Sequence, residues 1–202
     1  MQGCGMALYI NMRNTSFSFF FPCSFFLSPV AMWHRGGVFL DIRIEYQPTE
    51  KQRLFHSSDA NEVLFGGAAG GGKSKAIVME ALQRCLDVPG SRAYLFRRTY
   101  PELRDSLIRE ARSSIPPEVG KYSTTTHDLR LVNGSMMHFR YCRNIEDARL
   151  YQGAEFHWLL IDELTHFDQA VYDFLKTRLR APKNLGIEPR VRCTANPGGR
   201  GH

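Results

Sequence analysis

Apolar and polar positions along this chain follow two rhythms, and the switches between them mark out the elements. Leu40, Ile42, Ile44 and Tyr46 alternate with Asp41, Arg43 and Glu45, the period of a half-buried strand beginning near Val38. Gln47-Pro48 ends that run, and Thr49 is placed to cap a short helix. Glu62 to Phe65 reads as a strand, and Lys73 to Leu86 as a helix with Ile77, Ala81 and Leu82 facing inward. After a turn at Asp87 to Ser91 comes a second strand, Arg92 to Phe96. Thr99-Tyr100-Pro101-Glu102 then offers an N-cap and an early proline to a helix that reaches Ile115 and stops at Pro116-Pro117.

Beyond those prolines, Leu129 to Val132 and Met136 to Tyr141 flank Asn133-Gly134, which predicts an antiparallel hairpin. A helical turn is expected near Ile145 to Leu150. The run His157 to Ile161 is apolar enough to be a strand buried on both faces. Asp168 to Arg180 predicts another helix, with Val171, Phe174, Leu175 and Leu179 at helical spacing, and Arg190 to Asn196 a last strand. Strands alternating with helices imply right-handed crossovers and a mainly parallel sheet flanked by helices, with the hairpin as an insertion. Ligands of such sheets bind at the carboxyl ends of the strands.

Residues 1–36 do not share this texture. No charge falls between Asn14 and Trp33, and six phenylalanines lie between Phe17 and Phe26. Pro22, Pro29 and several serines argue against a membrane-crossing helix. A secretory signal fits the length, with Arg13 ahead of the apolar run. The expectation is a non-family apolar extension arising from a start assigned too early, with Met32 or a nearby codon as the true one, ahead of a domain spanning 37–202.

One stretch changes the picture from fold class to chemistry. Gly67-Ala68-Ala69-Gly70-Gly71-Gly72-Lys73-Ser74 satisfies G-x-x-x-x-G-K-[ST] between a strand pattern and a helix pattern. Glycines let the backbone turn its N–H groups inward, and the following helix brings its positive end to the same concavity. A triphosphate fits there, with Lys73 against the β- and γ-phosphates and the Ser74 hydroxyl on Mg²⁺. Asp162-Glu163, closing an apolar strand, supplies a carboxylate for the metal (Asp162) and one to activate the attacking water (Glu163).

Composition adds little against this. The net charge of +6 over 202 residues makes a polyanionic partner plausible without naming one. Five scattered cysteines without a C-x-x-C pair suggest neither a disulfide framework nor a zinc site, and the seven histidines lack ligand spacing.

From about Tyr46 onward the chain resembles the N-terminal packaging ATPase of the large terminase subunit of tailed bacteriophages. The resemblance rests on Tyr46 to Gln52, Gly66 to Ser74, Leu95 to Arg104, Tyr151 to Phe156, Leu160-Ile161-Asp162-Glu163 and Thr194-Ala195-Asn196-Pro197. It implies a P-loop NTPase fold of the RecA-like (ASCE) type, and ATP hydrolysis that drives double-stranded DNA into a procapsid. By the same resemblance Gln52 reads the adenine edge above an apolar bed of Tyr46 and Pro48. Thr194 to Asn196 is a coupling motif in which Asn196 senses the γ-phosphate, on a strand between the loop strand and the Asp162 strand. Arg97 and Arg98 are candidates for transition-state charge, in the same subunit or a neighbour, or for a DNA-facing or salt-bridged surface. Many members carry an arginine inside the phosphate loop where this chain has Ala68-Ala69, which shifts attention to that pair.

The implied partners are duplex DNA, the small terminase subunit, the portal protein and further copies in a ring, all in the host bacterial cytoplasm without a membrane. The family continues into further ATPase strands and a nuclease domain that this chain does not reach. Glu62 to Phe65 is therefore expected to be left as an exposed sheet edge. Another nucleic-acid ATPase of helicase or transposition type, or a prophage remnant that only binds nucleotide, are the alternative readings.

Overall fold

The computed structural model describes residues 44, 46–68 and 70–196, together with the backbone of two short strands, β1 (Ala31–Trp33) and β2 (Phe39–Asp41), which pair antiparallel. The boundary expected after residue 36 falls inside the connection between those two strands. What the sequence suggests for residues 1–30, for Ala69 and for the segment after Asn196 lies outside the described residues. Of the strand read from Val38 to Tyr46, β2 is the part seen among them.

The remaining strands are β3 (Glu62–Gly66), β4 (Arg92–Arg97), β5 (Gly120–Ser123), β6 (Asp128–Leu131), β7 (Met136–Tyr141), β8 (Trp158–Ile161) and β9 (Arg190–Ala195). They form one seven-stranded sheet in the order β3-β9-β8-β4-β7-β6-β5. The first five are mutually parallel, while β6 and β5 continue antiparallel from β7. The helices are α1 (Glu50–Ser57), α2 (Lys73–Asp87), α3 (Tyr100–Leu103), α4 (Arg109–Ser114), α5 (Ile145–Arg149) and α6 (Gln169–Lys176).

The central strands are apolar on both sides because both sides are covered. Ala93 and Leu95 of β4 and Trp158 and Leu160 of β8 face a cluster that includes Ile77, Leu82 and Leu86 of α2. Their neighbours Phe96, Leu159 and Ile161 face a second cluster with Val171 and Leu175 of α6. A period of two thus distributes one strand between two cores, as in doubly covered parallel sheets.

Three differences from the sequence reading have local causes. The helix expected to run to Arg180 stops at Lys176, because the backbone of buried Phe156 needs partners. Phe156 N–H donates to the Arg178 carbonyl at 3.0 Å and its carbonyl accepts from Arg180 N–H at 3.1 Å. The helix from Tyr100 to Ser114 is interrupted by a π-helical stretch, Arg104–Ile108, where the Ser106 hydroxyl bonds the Glu102 carbonyl at 2.7 Å and competes with the backbone ladder. Strand β5 shows no apolar rhythm in its Gly-Lys-Tyr-Ser sequence. It pairs with β6, where Gly120 lies opposite Leu131 and a Cβ on Gly120 would come 2.8 Å from Leu131 Cδ2.

The hairpin turn also fastens α2. Asn133 Nδ2 donates to the carbonyls of Cys85 (2.8 Å) and Leu86 (3.3 Å), and Ser135 Oγ to those of Cys85 (2.7 Å) and Val88 (2.9 Å). Carbonyls that the last turn of a helix leaves without partners are satisfied from a distant loop.

Strand β3 pairs with β9 on one side and ends the sheet among the described residues, with Leu64 56% exposed. Such an edge templates further pairing. Light scattering of the 202-residue chain should show concentration-dependent self-association that Leu64→Lys reduces; an unchanged profile would exclude β3 as the contact. Phe96 is fully buried, so Phe96→Ala should lower unfolding free energy in urea by about 3–5 kcal/mol.

Candidate nucleotide-binding site

Parallel register brings four strand ends to one edge of the sheet. Gly66 lies opposite Ala195, Ile161 opposite Cys193, and Phe96 opposite Ile161. The loop after β3, Asp162-Glu163 after β8, Asn196 after β9 and Arg97-Arg98 at the end of β4 consequently emerge side by side.

In the loop itself, Gly67 N–H is held by the Ala195 carbonyl at 3.2 Å. Gly70 (φ +83°) and Gly72 (φ +67°) take left-handed conformations that strain any other residue. Lys73, the first residue of α2, folds back so that Nζ donates to the carbonyls of Gly67 (2.9 Å) and Ala68 (2.8 Å), leaving it 6% exposed. Gly71 lies between the two left-handed glycines. The N–H groups of the first turn of α2 have no intrahelical partner, which is the elementary requirement for holding an anion.

Asp162 is 1% exposed and saturated by its own chain. One oxygen accepts from Ser74 Oγ at 3.1 Å and lies 2.8 Å from Arg97 Nε; the other accepts from Thr194 Oγ1. The Arg97 contact is an ion pair rather than a directed hydrogen bond, since its Nε–H has no aligned acceptor. Arg98 donates from Nη1 to the His166 carbonyl at 3.0 Å, across the turn that follows Glu163. Both arginines are thus engaged within their own subunit.

Glu163 sits at φ 58°, ψ 58°, a left-handed conformation costing about 1–2 kcal/mol for a residue with a side chain. Its N–H donates to Thr194 Oγ1 at 3.2 Å, and its carboxylate accepts from Asn196 N (2.9 Å) and Asn196 Nδ2 (2.7 Å). The strain is held by Thr194 on β9 and by Asn196 just past its end.

Ser74 Oγ and Asp162 Oδ2, adjoining at 3.1 Å, form a hard-oxygen pair of the kind Mg²⁺ takes when phosphates and water complete its shell. Among the described residues no group of three or more His, Cys, Asp or Glu gathers to hold a metal unaided. The described cysteines 85, 142 and 193 are buried, and burial pushes their thiols up to about 12, which keeps them protonated and unreactive. Tyr46 and Pro48 are buried, and Gln52, 4% exposed, is bonded to protein at both ends of its amide.

Sequence reasoning missed a buried ionic cluster behind the loop. Glu80 of α2, 1% exposed, meets His56 Nδ1 at 2.7 Å, Arg84 Nε at 2.9 Å and Arg192 Nε at 3.3 Å. A signal existed: Glu80 shares the inward face of α2 with Ala76 and Ile77, and Arg192 stands between the apolar Val191 and Cys193 of β9. A cavity of about 410 Å³ adjoins this cluster at Arg84 and is lined also by Asp87, Trp158, Glu188 and Arg190.

Residues 59–202 match the family model described as phage terminase large subunit. A search of curated proteins finds no match. Among solved structures, the large terminase of a thermophilic bacteriophage is 15% identical with a TM-score of 0.61, over 75% of this chain and 40% of that one. A mutant of the large terminase ATPase domain of Thermus phage P74-26 gives 19% and 0.52, over 76% and 67%. The large terminase of bacteriophage HK97 gives 10% and 0.57, over 75% and 33%. At these identities the likeness is one of fold, and the chain spans less than half the length of the first and third of these proteins. With a mainly parallel sheet, a phosphate-type loop after its edge strand, and a family model covering well over half its residues, the chain belongs to the phage terminase large-subunit family.

Proposed function

We propose that the chain binds ATP with Mg²⁺ in the loop Gly67, Ala68, Ala69, Gly70, Gly71, Gly72, Lys73 and Ser74 and hydrolyses it. In the complete packaging machine that hydrolysis moves double-stranded DNA into a procapsid. The observation that carries the reading is the meeting of Ser74 and Asp162 at 3.1 Å, with Glu163 next along the chain. Two stretches remote in sequence converge where a triphosphate needs a metal and a base. The large terminase of the thermophilic bacteriophage has been solved with ADP and with ATP-γ-S, which supports a nucleotide at the corresponding place here.

In this reading Ser74 and Asp162 hold Mg²⁺. Held there, the ion would neutralise phosphate charge and orient the triphosphate. Lys73 exchanges the Gly67 and Ala68 carbonyls for β- and γ-phosphate oxygens. Glu163 takes a proton from the water whose oxygen attacks the γ-phosphorus; the bond to the β,γ-bridging oxygen breaks, and ADP leaves with that electron pair. Arg97, released from Asp162, is the nearer arginine for charge on the transferring phosphoryl group, while Arg98 steadies the turn behind the base. Asn196 joins the base to the end of β9 and senses the γ-phosphate, so a change there is transmitted to the coupling segment. Gln52 belongs to the same nucleotide site.

Duplex DNA, the small terminase subunit, the portal protein and neighbouring copies in a ring are the proposed partners, in the host cytoplasm. Among the described residues no helix is long and apolar enough to cross a membrane.

Lys73→Ala should abolish binding of a fluorescent ATP analogue. Glu163→Gln should keep that binding and lower phosphate release by about 10²–10⁴-fold, the usual weight of general base catalysis. Hydrolysis persisting undiminished in purified Glu163→Gln would remove Glu163 from the role of base.

A further inference from the structure

The resemblance assigns Gln52 to the adenine base, but its amide is committed elsewhere. Oε1 accepts from Thr49 N–H at 2.8 Å, completing a capping box with the Gln52 N–H to Thr49 Oγ1 bond at the start of α1. Nε2 donates to the Gly72 carbonyl at 3.0 Å. That carbonyl also accepts Ala76 N–H at 2.9 Å, and the approach is so close that a Cβ on Gly72 would lie 2.7 Å from Gln52 Nε2. The proposed bed is equally committed, since Tyr46 is 3% exposed and its hydroxyl meets His56 Nε2 at 2.9 Å.

The peptide between Gly72 and Lys73 is planar and trans, so its carbonyl and its N–H point in opposite directions. Whatever fixes the Gly72 carbonyl fixes the Lys73 N–H, the first amide of α2. Gly72, at φ +67°, has no side chain of its own to anchor it, and Gln52 holds its carbonyl from α1. We propose that Gln52 is a positioning residue for the phosphate loop, acting on the triphosphate through Gly72 and the Lys73 amide and independently of the adenine base. This rests on the reading of Gly67 to Ser74 as a triphosphate site.

Helix α1 is anchored firmly enough to serve as such a clip. His56, one turn beyond Gln52, bonds Glu80 of α2, and Glu80 is joined by Arg192 from β9. Arg192 in turn donates to the carbonyls of Ser58 (2.8 Å) and Ala60 (2.9 Å), just past the end of α1. Burial alone would push the Glu80 carboxyl up; the His56 bond and the charges of Arg84, His56 and Arg192 hold it below the usual carboxylate range. A buried carboxylate so paired is costly to disrupt, which keeps α1 seated on α2. Phe55 stacked on Phe65 of β3, with centroids 5.5 Å apart, closes the remaining side.

The test compares affinities of the 202-residue chain for inorganic tripolyphosphate, ATP and GTP by competition against a fluorescent ATP analogue. Gln52→Met should weaken all three by the same factor, about tenfold, the weight of one well-placed hydrogen bond. Gln52→Glu keeps the acceptor for Thr49 and loses the donor to Gly72, and should show the loss with α1 still capped. Thr49→Ala loosens the start of α1 and should lower thermal stability while leaving tripolyphosphate affinity unchanged. Unaltered tripolyphosphate affinity in both Gln52 variants, with or without a fallen preference for ATP over GTP, would overturn the proposal. An equal loss in Thr49→Ala would overturn it too, by reducing the effect to helix stability. Failure of the unaltered chain to bind tripolyphosphate or ATP would instead overturn the phosphate-loop reading on which the proposal rests.

Discussion

A buried carboxylate, Asp162, is the point on which the site depends. Taking a charge of that kind out of water costs several kcal/mol unless partners replace the solvent. Here Thr194 comes from β9, Arg97 from β4 and Ser74 from the first turn of α2, while Asp162 itself directly follows β8. Three strands and the loop helix must therefore be in register for the charge to be tolerated. The same condition brings a hydroxyl, a carboxylate and two arginines to one edge of the sheet. The requirement of the charge and the assembly of the site are one constraint.

Strand β9 carries more of this arrangement than its length suggests. Val191 and Cys193 pack into the core beneath α6, while the alternate positions Arg192 and Thr194 turn to the other face. Arg192 reaches Glu80 and so steadies α1 and α2; Thr194 holds Asp162 and the Glu163 N–H; Asn196, just beyond the strand, clamps the Glu163 carboxylate. The strained backbone of Glu163 persists because these partners over-determine it. A displacement along β9 would act on the Gly67 to Ser74 loop and on Glu163 together.

The phosphate loop is held from several sides as well. Ala195 fixes its entry through Gly67, Gln52 its exit through Gly72, and the Asn133-Gly134 turn caps the far end of α2. Glycine makes the loop conformation accessible, but it does not select it. Selection comes from these bonds, which lie outside the motif.

Much was legible in the residues alone. The 157–161 run could only be buried on both faces, Asn133-Gly134 could only turn a hairpin tightly, and Gly67 to Ser74 between two different rhythms announces a phosphate loop whatever its surroundings. The strand and the hairpin are as read because each depends on local propensity or on periodicity, which are properties of neighbouring residues. Strand β5 was invisible because Gly120 to Ser123 has no rhythm and exists only through its pairing with β6. Helix α6 stops at Lys176 for the sake of Phe156, twenty residues earlier. The cluster around Glu80 joins residues 56, 80, 84 and 192, and the Gln52 amide finds Gly72 rather than open solvent. By itself, then, the sequence determined the kinds of element and the chemical groups of the site. Which side chain meets which was decided by the tertiary structure, because burying a polar group obliges it to find a partner wherever the packed chain has placed one.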